Sequence, residues 1–258
     1  MAHIVATRPL IEDGLSGLRT SHTVTVCDPP EGSTRSVDEL IALTDGADVL
    51  LSVLADPVTE RLFEARPGLR MVAQYAVGVD NIDLAAAEAH DVAVTHTPGV
   101  LTDATADMTW ALLLAAARHV PAADQYVRDG KFERWETTLL LGTELSRKTI
   151  GIVGLGRIGR AVARRALGFG MDVVYHNRNR ANPTLERQAS AQYVDLDELL
   201  ATSDVVSLHC PHNEDSHHLI DTEALKTMKS SALLVNTARG PVVDEAALVE
   251  ALADGEIA

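Results

Sequence analysis

The sequence predicts an α/β protein built on parallel sheets, and three observations predict it. Short β-rich runs alternate with amphipathic segments, a Thr97-Pro98-Gly99 break interrupts the alternation, and a glycine-rich turn from Gly154 leaves an apolar strand and opens an amphipathic helix. Alternation at this spacing covers both faces of a parallel sheet with helices. At 258 residues the chain is long for one domain and comfortable for two.

The elements follow in order. The first series has strands expected at Ile4–Thr7, Thr23–Cys27, Val49–Leu54, Met71–Ala76 and Val92–Thr95. Helices are expected at Leu10–Arg19, Val37–Leu43, Thr59–Ala65 and Leu84–Ala89, the last capped by Asp80 or Asn81. Gly14 and Gly17 weaken the first of these helices. Thr97-Pro98-Gly99 reads as a hinge or boundary. A helix from about Asp103 to His119 follows, apolar almost all round between Met108 and Ala117, which suits a large core or an interface. The less regular arm Lys131–Glu144 carries Trp135 and Leu139-Leu140-Leu141 and calls for a partner surface. A second series then has strands at Thr149–Val153, Asp172–His176, Gln192–Val194, Val205–His209 and Leu233–Asn236, with a helix after Gly156.

Composition narrows the function classes. A formal charge of −15 argues against a nucleic-acid partner, which needs clustered Lys and Arg. The acidic, lysine-poor surface is read either as adaptation to high salt or as the codon bias of a GC-rich genome. Two cysteines far apart in sequence, Cys27 and Cys210, exclude a disulfide scaffold and a multi-cysteine metal site. No metal is expected. The N-terminus carries no secretion signal, and the run Met108–Ala117 is about half of a bilayer span. A cytoplasmic protein with no membrane partner is the expectation.

The chemistry concentrates in three places. In Gly154-Leu155-Gly156-Arg157-Ile158-Gly159, Gly154 permits a tight turn, Gly156 a close approach to pyrophosphate, and Gly159 close helix–strand packing. The pyrophosphate would lie on free N–H groups at the helix start, the arrangement of a Rossmann dinucleotide-binding lobe. The end of the next strand reports which dinucleotide. A carboxylate there would hold a ribose 2′-hydroxyl, but the sequence has Asn177-Arg178-Asn179-Arg180. Arg178 and Arg180 could bind a 2′-phosphate, which favours NADP(H) over NAD(H); the alternative is two solvated loop arginines. Third, Arg239 follows a buried strand and precedes Gly240-Pro241. That places a guanidinium where open α/β sheets bind ligands, able to grip a carboxylate in two-pronged fashion or merely to cap a helix.

Four ordered motifs then resemble the D-isomer-specific 2-hydroxyacid dehydrogenases: Val77-Gly78-Val79-Asp80, Thr97-Pro98-Gly99-Val100-Leu101-Thr102, the glycine turn, and Asn236-Thr237-Ala238-Arg239-Gly240. Within the family the chain is most similar to the glyoxylate/hydroxypyruvate reductases, through Val100–Asp107 and Asn177–Arg180. The resemblance is clear from about Val49 onward. It implies a flavodoxin-like substrate lobe over residues 1–97 and a Rossmann lobe over 98–258. It also implies that Arg239 orients a small 2-oxoacid by its carboxylate, and that Val77 and Gly78 amides complete the carboxylate site. Thr105, Cys210, Pro211, Thr237 and Ala238 would line the cofactor beside Arg157 and Ile158; the bland alternative is strand termini without ligand contact. The long helix and the arm would form a homodimer, with Trp135 reaching the neighbour's substrate site or packing in its own subunit.

One departure stands out. Family members continue past Asp254-Gly255-Glu256-Ile257-Ala258 to a glutamate and a catalytic histidine, so the general acid is expected to be absent and the chain to be a fragment or part of a longer protein. His90, His96, His119, His209, His212, His217 and His218 all precede Arg239, and none is given that role. The expected activity is reduction of glyoxylate, hydroxypyruvate or a similar 2-oxoacid by NADPH. The rivals are a dinucleotide-sensing, co-repressor-like binding module and, nearer, phosphoglycerate, formate and phosphite dehydrogenases.

Overall fold

The computed structural model describes residues 1–11, 14–29 and 32–258, and among these ten strands form two five-stranded parallel sheets. The chain divides into compact units at Val100–Leu101.

The first unit runs β1 (His3–Ala6), α1 (Ser16–Arg19), β2 (Thr23–Val26), α2 (Val37–Leu43), β3 (Val49–Ser52), α3 (Glu60–Ala65), β4 (Met71–Gln74), α4 (Leu84–Ala89) and β5 (Ala93–Thr95). Its strand order, β2-β1-β3-β4-β5, is the flavodoxin-like one. Ile4 sits between Val24 and Val49, which fixes the register of β1 against the edge strand β2 and against β3. Alternate residues of β3 and β4 are fully buried against Leu40, Leu62, Phe63 and Ala87. Each such Leu or Phe contributes about 1.5–3 kcal/mol. Ser36 starts α2 with a reciprocal capping box to Glu39, whose carboxyl is held below its ordinary range by the Ser36 N–H and hydroxyl.

The first expected helix, Leu10–Arg19, is confined to its last turn, Ser16–Arg19, and residues 12–13 lie outside the described residues. Asp83 caps α4, rather than Asp80 or Asn81: its carboxylate accepts the Ala86 N–H at 2.9 Å. Asn81 is occupied elsewhere, donating to the carbonyls of Val53 and Asp56.

The second unit runs α5 (Thr102–Ala117), α6 (Val120–Arg128), β6 (Thr149–Val153), α7 (Arg157–Gly168), β7 (Asp172–His176), α8 (Pro183–Ala189), β8 (Ala191–Tyr193), α9 (Leu196–Thr202), β9 (Val205–Leu208), α10 (Thr222–Thr227), β10 (Leu233–Asn236) and α11 (Glu245–Asp254). Strand order is β10-β9-β6-β7-β8, so the order reverses at β6. One face packs Trp110, Leu113, Val162 and Ala166 against Ile150 and Ile152. The other packs Leu199, Leu200, Leu225 and Ala251 against Val206 and Leu208. Burial of all four residues explains why β9 is apolar at Val205, Val206 and Leu208, with Ser207 its one polar member.

The helix expected over Asp103–His119 is α5, which ends at Ala117, and a further helix that sequence reasoning did not name, α6, follows it. His119 takes a left-handed φ of 53°, and Pro121, which lacks an N–H, opens α6 instead of continuing α5. Trp110 stacks on Phe169 at 4.4 Å and donates to the Val162 carbonyl, pinning α5 to α7. The arm between α6 and β6 is tied back by Thr143 N–H to the Ala117 carbonyl and by His119 to the Leu141 carbonyl.

Candidate active site

In the second unit the chemistry gathers at the carboxyl ends of β6, β7, β9 and β10. At the end of β6, Gly154 adopts φ 103°, a conformation that favours glycine, and its N–H donates to His176 on β7. A Cβ on Gly154 would lie 2.6 Å from the Cys210 nitrogen, so the β9 end packs on this turn as backbone against backbone. A Cβ on Gly159 would press into the Gly154 carbonyl oxygen, whereas one on Gly156 would meet nothing within 4 Å. Gly156 is also the N-cap of α7 and supplies no side-chain cap to the first-turn amides, those of Arg157, Ile158 and Gly159. A backbone face that any side chain would fill, at the positive end of a helix, fits a dinucleotide pyrophosphate.

The residues after β7 have unequal roles. Asn177 turns back, and its Oδ1 accepts the Leu155 N–H at 2.7 Å, tying the glycine turn to β7. Arg180 grips Glu186 with two bonds, 2.8 and 3.2 Å, and lies over the Tyr193 ring. Glu186 also accepts from Tyr175 at 2.6 Å; burial, then this carboxylate, pushes the Tyr175 hydroxyl up to about 12. The arginine holds Glu186 below the ordinary carboxylate range, and Arg180 is itself raised by its bonds to Glu186. Arg178 makes one bond, to Asp215 at 2.9 Å.

At the ends of β9 and β10 a hydrogen-bonded chain runs through the interior. The Thr109 hydroxyl donates to the Thr105 carbonyl, so it accepts from Thr237, 2.9 Å away. Thr237 in turn faces His209 Nδ1 at 3.4 Å, and His209 Nε2 faces Ser207 Oγ at 2.9 Å. Only the Nδ1–H tautomer lets every member donate once. Burial pushes His209 down to about 4, so the ring is neutral at pH 7 and cannot act as a proton donor there. Burial raises the adjacent Cys210 thiol, which is therefore no thiolate nucleophile.

Asn236 shapes the turn that presents Arg239. Its Oδ1 accepts the Ala238 N–H at 2.9 Å and its Nδ2 donates to the Arg239 carbonyl at 2.8 Å. Arg239 is half-buried in extended conformation before the 3-10 turn Gly240–Val242, one guanidinium nitrogen donating to the Ala238 carbonyl.

In the first unit, Val77 and Gly78 follow β4, and both carbonyls are fixed. His96 Nδ1 donates to Val77 at 2.8 Å, and Gln74, held by Ser52 and Asn81, donates to Gly78 at 3.3 Å. Sequence reasoning named Val77 and Gly78 but missed His96, Gln74 and Asn236, which orient them and Arg239. Their signal was polarity beside a strand end, too common to select on. Trp135, in the arm between α6 and β6, is 74% exposed. Among the described residues no group of three or more His, Cys, Asp or Glu is placed to hold a metal ion, and no helix is long and apolar enough to cross a membrane.

A family model for the D-isomer specific 2-hydroxyacid dehydrogenase NAD binding domain matches residues 110–258. The glyoxylate reductase of Korarchaeum cryptofilum is 46% identical over 256 residues, covering 99% of this chain and 76% of that protein. Among solved structures, a glyoxylate reductase from Paecilomyes thermophila superposes with a TM-score of 0.87 at 32% identity, over 99% of this chain and 79% of that one. D-Lactate dehydrogenase from Aquifex aeolicus, complexed with NAD and lactic acid, gives 0.84 at 32% identity, over 98% and 74%.

Proposed function

The chain belongs to the D-isomer-specific 2-hydroxyacid dehydrogenase family, and on that premise we propose that it reduces a small 2-oxoacid, of the glyoxylate or hydroxypyruvate type, with NADPH. One observation carries the reading: the glycine turn after β6 and Arg239 after β10 share the carboxyl edge of a single sheet. Ligands of open α/β sheets bind at that edge. The 44–46% identity to several glyoxylate reductases supports the substrate class.

In this reading residues 1–97 form the substrate-binding lobe and 98–258 the nucleotide lobe. Arg157, Ile158 and Gly159 amides hold the pyrophosphate, with Thr105, Cys210, Pro211, Thr237 and Ala238 lining the rest of the nucleotide. The bound nicotinamide supplies the hydride. Arg239 takes the 2-oxoacid carboxylate as a two-pronged ion pair, and Asn236 keeps its turn in place. Holding the reacting carbon in one orientation is itself a large part of the rate. Val77 and Gly78 are the first unit's candidates for contact with substrate. The proton for the carbonyl oxygen is assigned to none of the chain's histidines. Arg178 receives the 2′-phosphate and sets the preference for NADPH over NADH, while Arg180 keeps Glu186 and Tyr175 in place. The exposed Met108, Leu112, Val127, Phe132, Trp135 and Leu141 support a homodimer through α5, α6 and the arm. Two free cysteines suit a cytoplasmic setting.

The test is binding of oxalate, an unreactive mimic of glyoxylate, to the NADPH-loaded protein, followed by nucleotide fluorescence. Oxalate should bind and glyoxylate should displace it. A protein that binds NADPH yet ignores both acids is a dinucleotide-sensing module instead.

A further inference from the structure

Each arginine after β7 carries a carboxylate, and the two pairs are built differently. Glu186, the partner of Arg180, is only 12% exposed, doubly bonded to the guanidinium, and shared with Tyr175. It belongs to the local packing of β7 and α8. Asp215, the partner of Arg178, makes a single bond, and both side chains are about three-quarters exposed, 71% and 74%. An exposed pair of this kind adds little stability and opens easily.

Asp215 comes from far off in the fold. It lies in the 3-10 turn Glu214–Ser216 that follows β9, whereas Arg178 follows β7. In the sheet β6 runs between those two strands. The ion pair therefore links the two strand ends that flank β6, at the edge of the sheet where the glycine turn lies. Its carboxylate stands on a braced turn. Asn213 Oδ1 accepts the Ser216 N–H, while Ser216 Oγ accepts the Asn213 N–H at 2.8 Å and donates to the Pro211 carbonyl at 2.7 Å.

We propose that Asp215 is a specificity-determining residue: it is the counter-ion that the 2′-phosphate of NADPH must displace from Arg178, and it holds down the preference for NADPH over NADH. The inference rests on Arg178 receiving that phosphate. A phosphate monoester carries nearly two charges and three acceptor oxygens near pH 7, so it wins the guanidinium from a single exposed carboxylate. The braced turn cannot carry Asp215 away after the exchange, and its charge then lies within a Debye length of the phosphate and repels it. NADH makes no such demand, because a 2′-hydroxyl leaves the ion pair intact. Asp215 thus taxes one cofactor and spares the other.

The experiment is fluorescence titration of NADPH and of NADH into the wild-type protein, Asp215→Asn, Asp215→Glu, Arg178→Ala and the double variant Asp215→Asn/Arg178→Ala, at low and high salt. Asp215→Asn should tighten NADPH about two- to five-fold and leave NADH unchanged, the range expected for one exposed charge pair. Asp215→Glu keeps the charge and should behave as wild type. Arg178→Ala should weaken NADPH about ten-fold or more, and the gain from Asp215→Asn should shrink in its presence and at high salt. If Arg178→Ala selectively weakens NADPH while Asp215→Asn leaves NADPH unaltered or tightens NADH equally, Asp215 sets no preference and the inference fails alone. If Arg178→Ala weakens both cofactors equally, the assignment of Arg178 has failed and takes the inference with it. Unchanged melting temperatures confirm that the exposed substitutions leave the fold intact.

Discussion

Replacing Gly156 and Gly159 by alanine, one at a time, separates the binding role of the turn from its packing role. Gly156 sits at φ −76° and ψ −156°, open to any residue, and an added Cβ meets nothing within 4 Å. The cost to the fold is that of alanine at an N-cap, about 0.5–1 kcal/mol. At Gly159 the methyl would press into the Gly154 carbonyl oxygen and lie 3.1 Å from the Ile152 side chain. That carbonyl cannot retreat freely, because it accepts the Gly156 N–H while the Gly154 N–H is held by His176. Relief requires α7 to lift from β6, which loosens Val162 and Ala166 against Ile150 and Ile152. Overpacking of this kind costs about 1–3 kcal/mol, offset by up to about 1 kcal/mol of helix propensity. Urea unfolding and NADPH titration read the two effects. Gly159→Ala should lose about 1–2 kcal/mol of stability. Gly156→Ala should stay within about 1 kcal/mol of wild type yet weaken NADPH at least about ten-fold, since the methyl occupies the pyrophosphate face. Wild-type affinity in Gly156→Ala refutes the placement of the pyrophosphate on this turn.

Three further outcomes follow from the same geometry. Arg180→Ala should lower the melting temperature through loss of the Glu186–Tyr175 network while changing NADPH and NADH affinity alike; a loss confined to NADPH would put Arg180 in the phosphate site. His209 titrates near 4 when folded and near 6.5 when unfolded. Both states are neutral above about 6.5, so its contribution to stability is constant there, and it is lost by up to about 3 kcal/mol as pH falls from 6.5 to 4, where only the unfolded chain takes the proton. Urea midpoints of His209→Gln should show a shallower fall across that window, and parallel curves would contradict it. Light scattering should find a dimer at micromolar concentration, burying well over about 1,000 Å², and Trp135→Glu with Leu141→Glu should dissociate it; a wild-type monomer would refute the interface.

The glycine turn was legible because its requirements are local: a left-handed conformation at Gly154 and a close helix contact at Gly159 that glycine alone meets, and an open face at Gly156. Strand positions were legible for a related reason, since burial on both sheet faces writes largely apolar runs into β6 and β9. Errors came where a distant partner or a single residue decides. Asp83 caps α4 because Asn81 is claimed by the carbonyls of Val53 and Asp56, which lie far off in sequence. The helix α6 went unnamed because its start turns on one left-handed residue, His119, with Pro121 in the first turn. Two arginines one residue apart look alike in sequence, yet Glu186 claims Arg180 and Asp215 claims Arg178, and only the folded chain distinguishes them. The chain from Ser207 to Thr105 joins the ends of β9 and β10 to α5, with Thr109 and Thr237 128 residues apart, and no spacing rule reveals it.

The central claim is that Arg239 grips a 2-oxoacid carboxylate independently of the turn that holds the nucleotide. Calorimetric titration of oxalate into NADPH-saturated wild type and Arg239→Lys tests it most directly, because lysine keeps the charge and loses the planar fork. Oxalate affinity should fall at least about ten-fold in Arg239→Lys, with NADPH affinity within a few fold of wild type. Equal oxalate affinity in the two proteins would contradict the account.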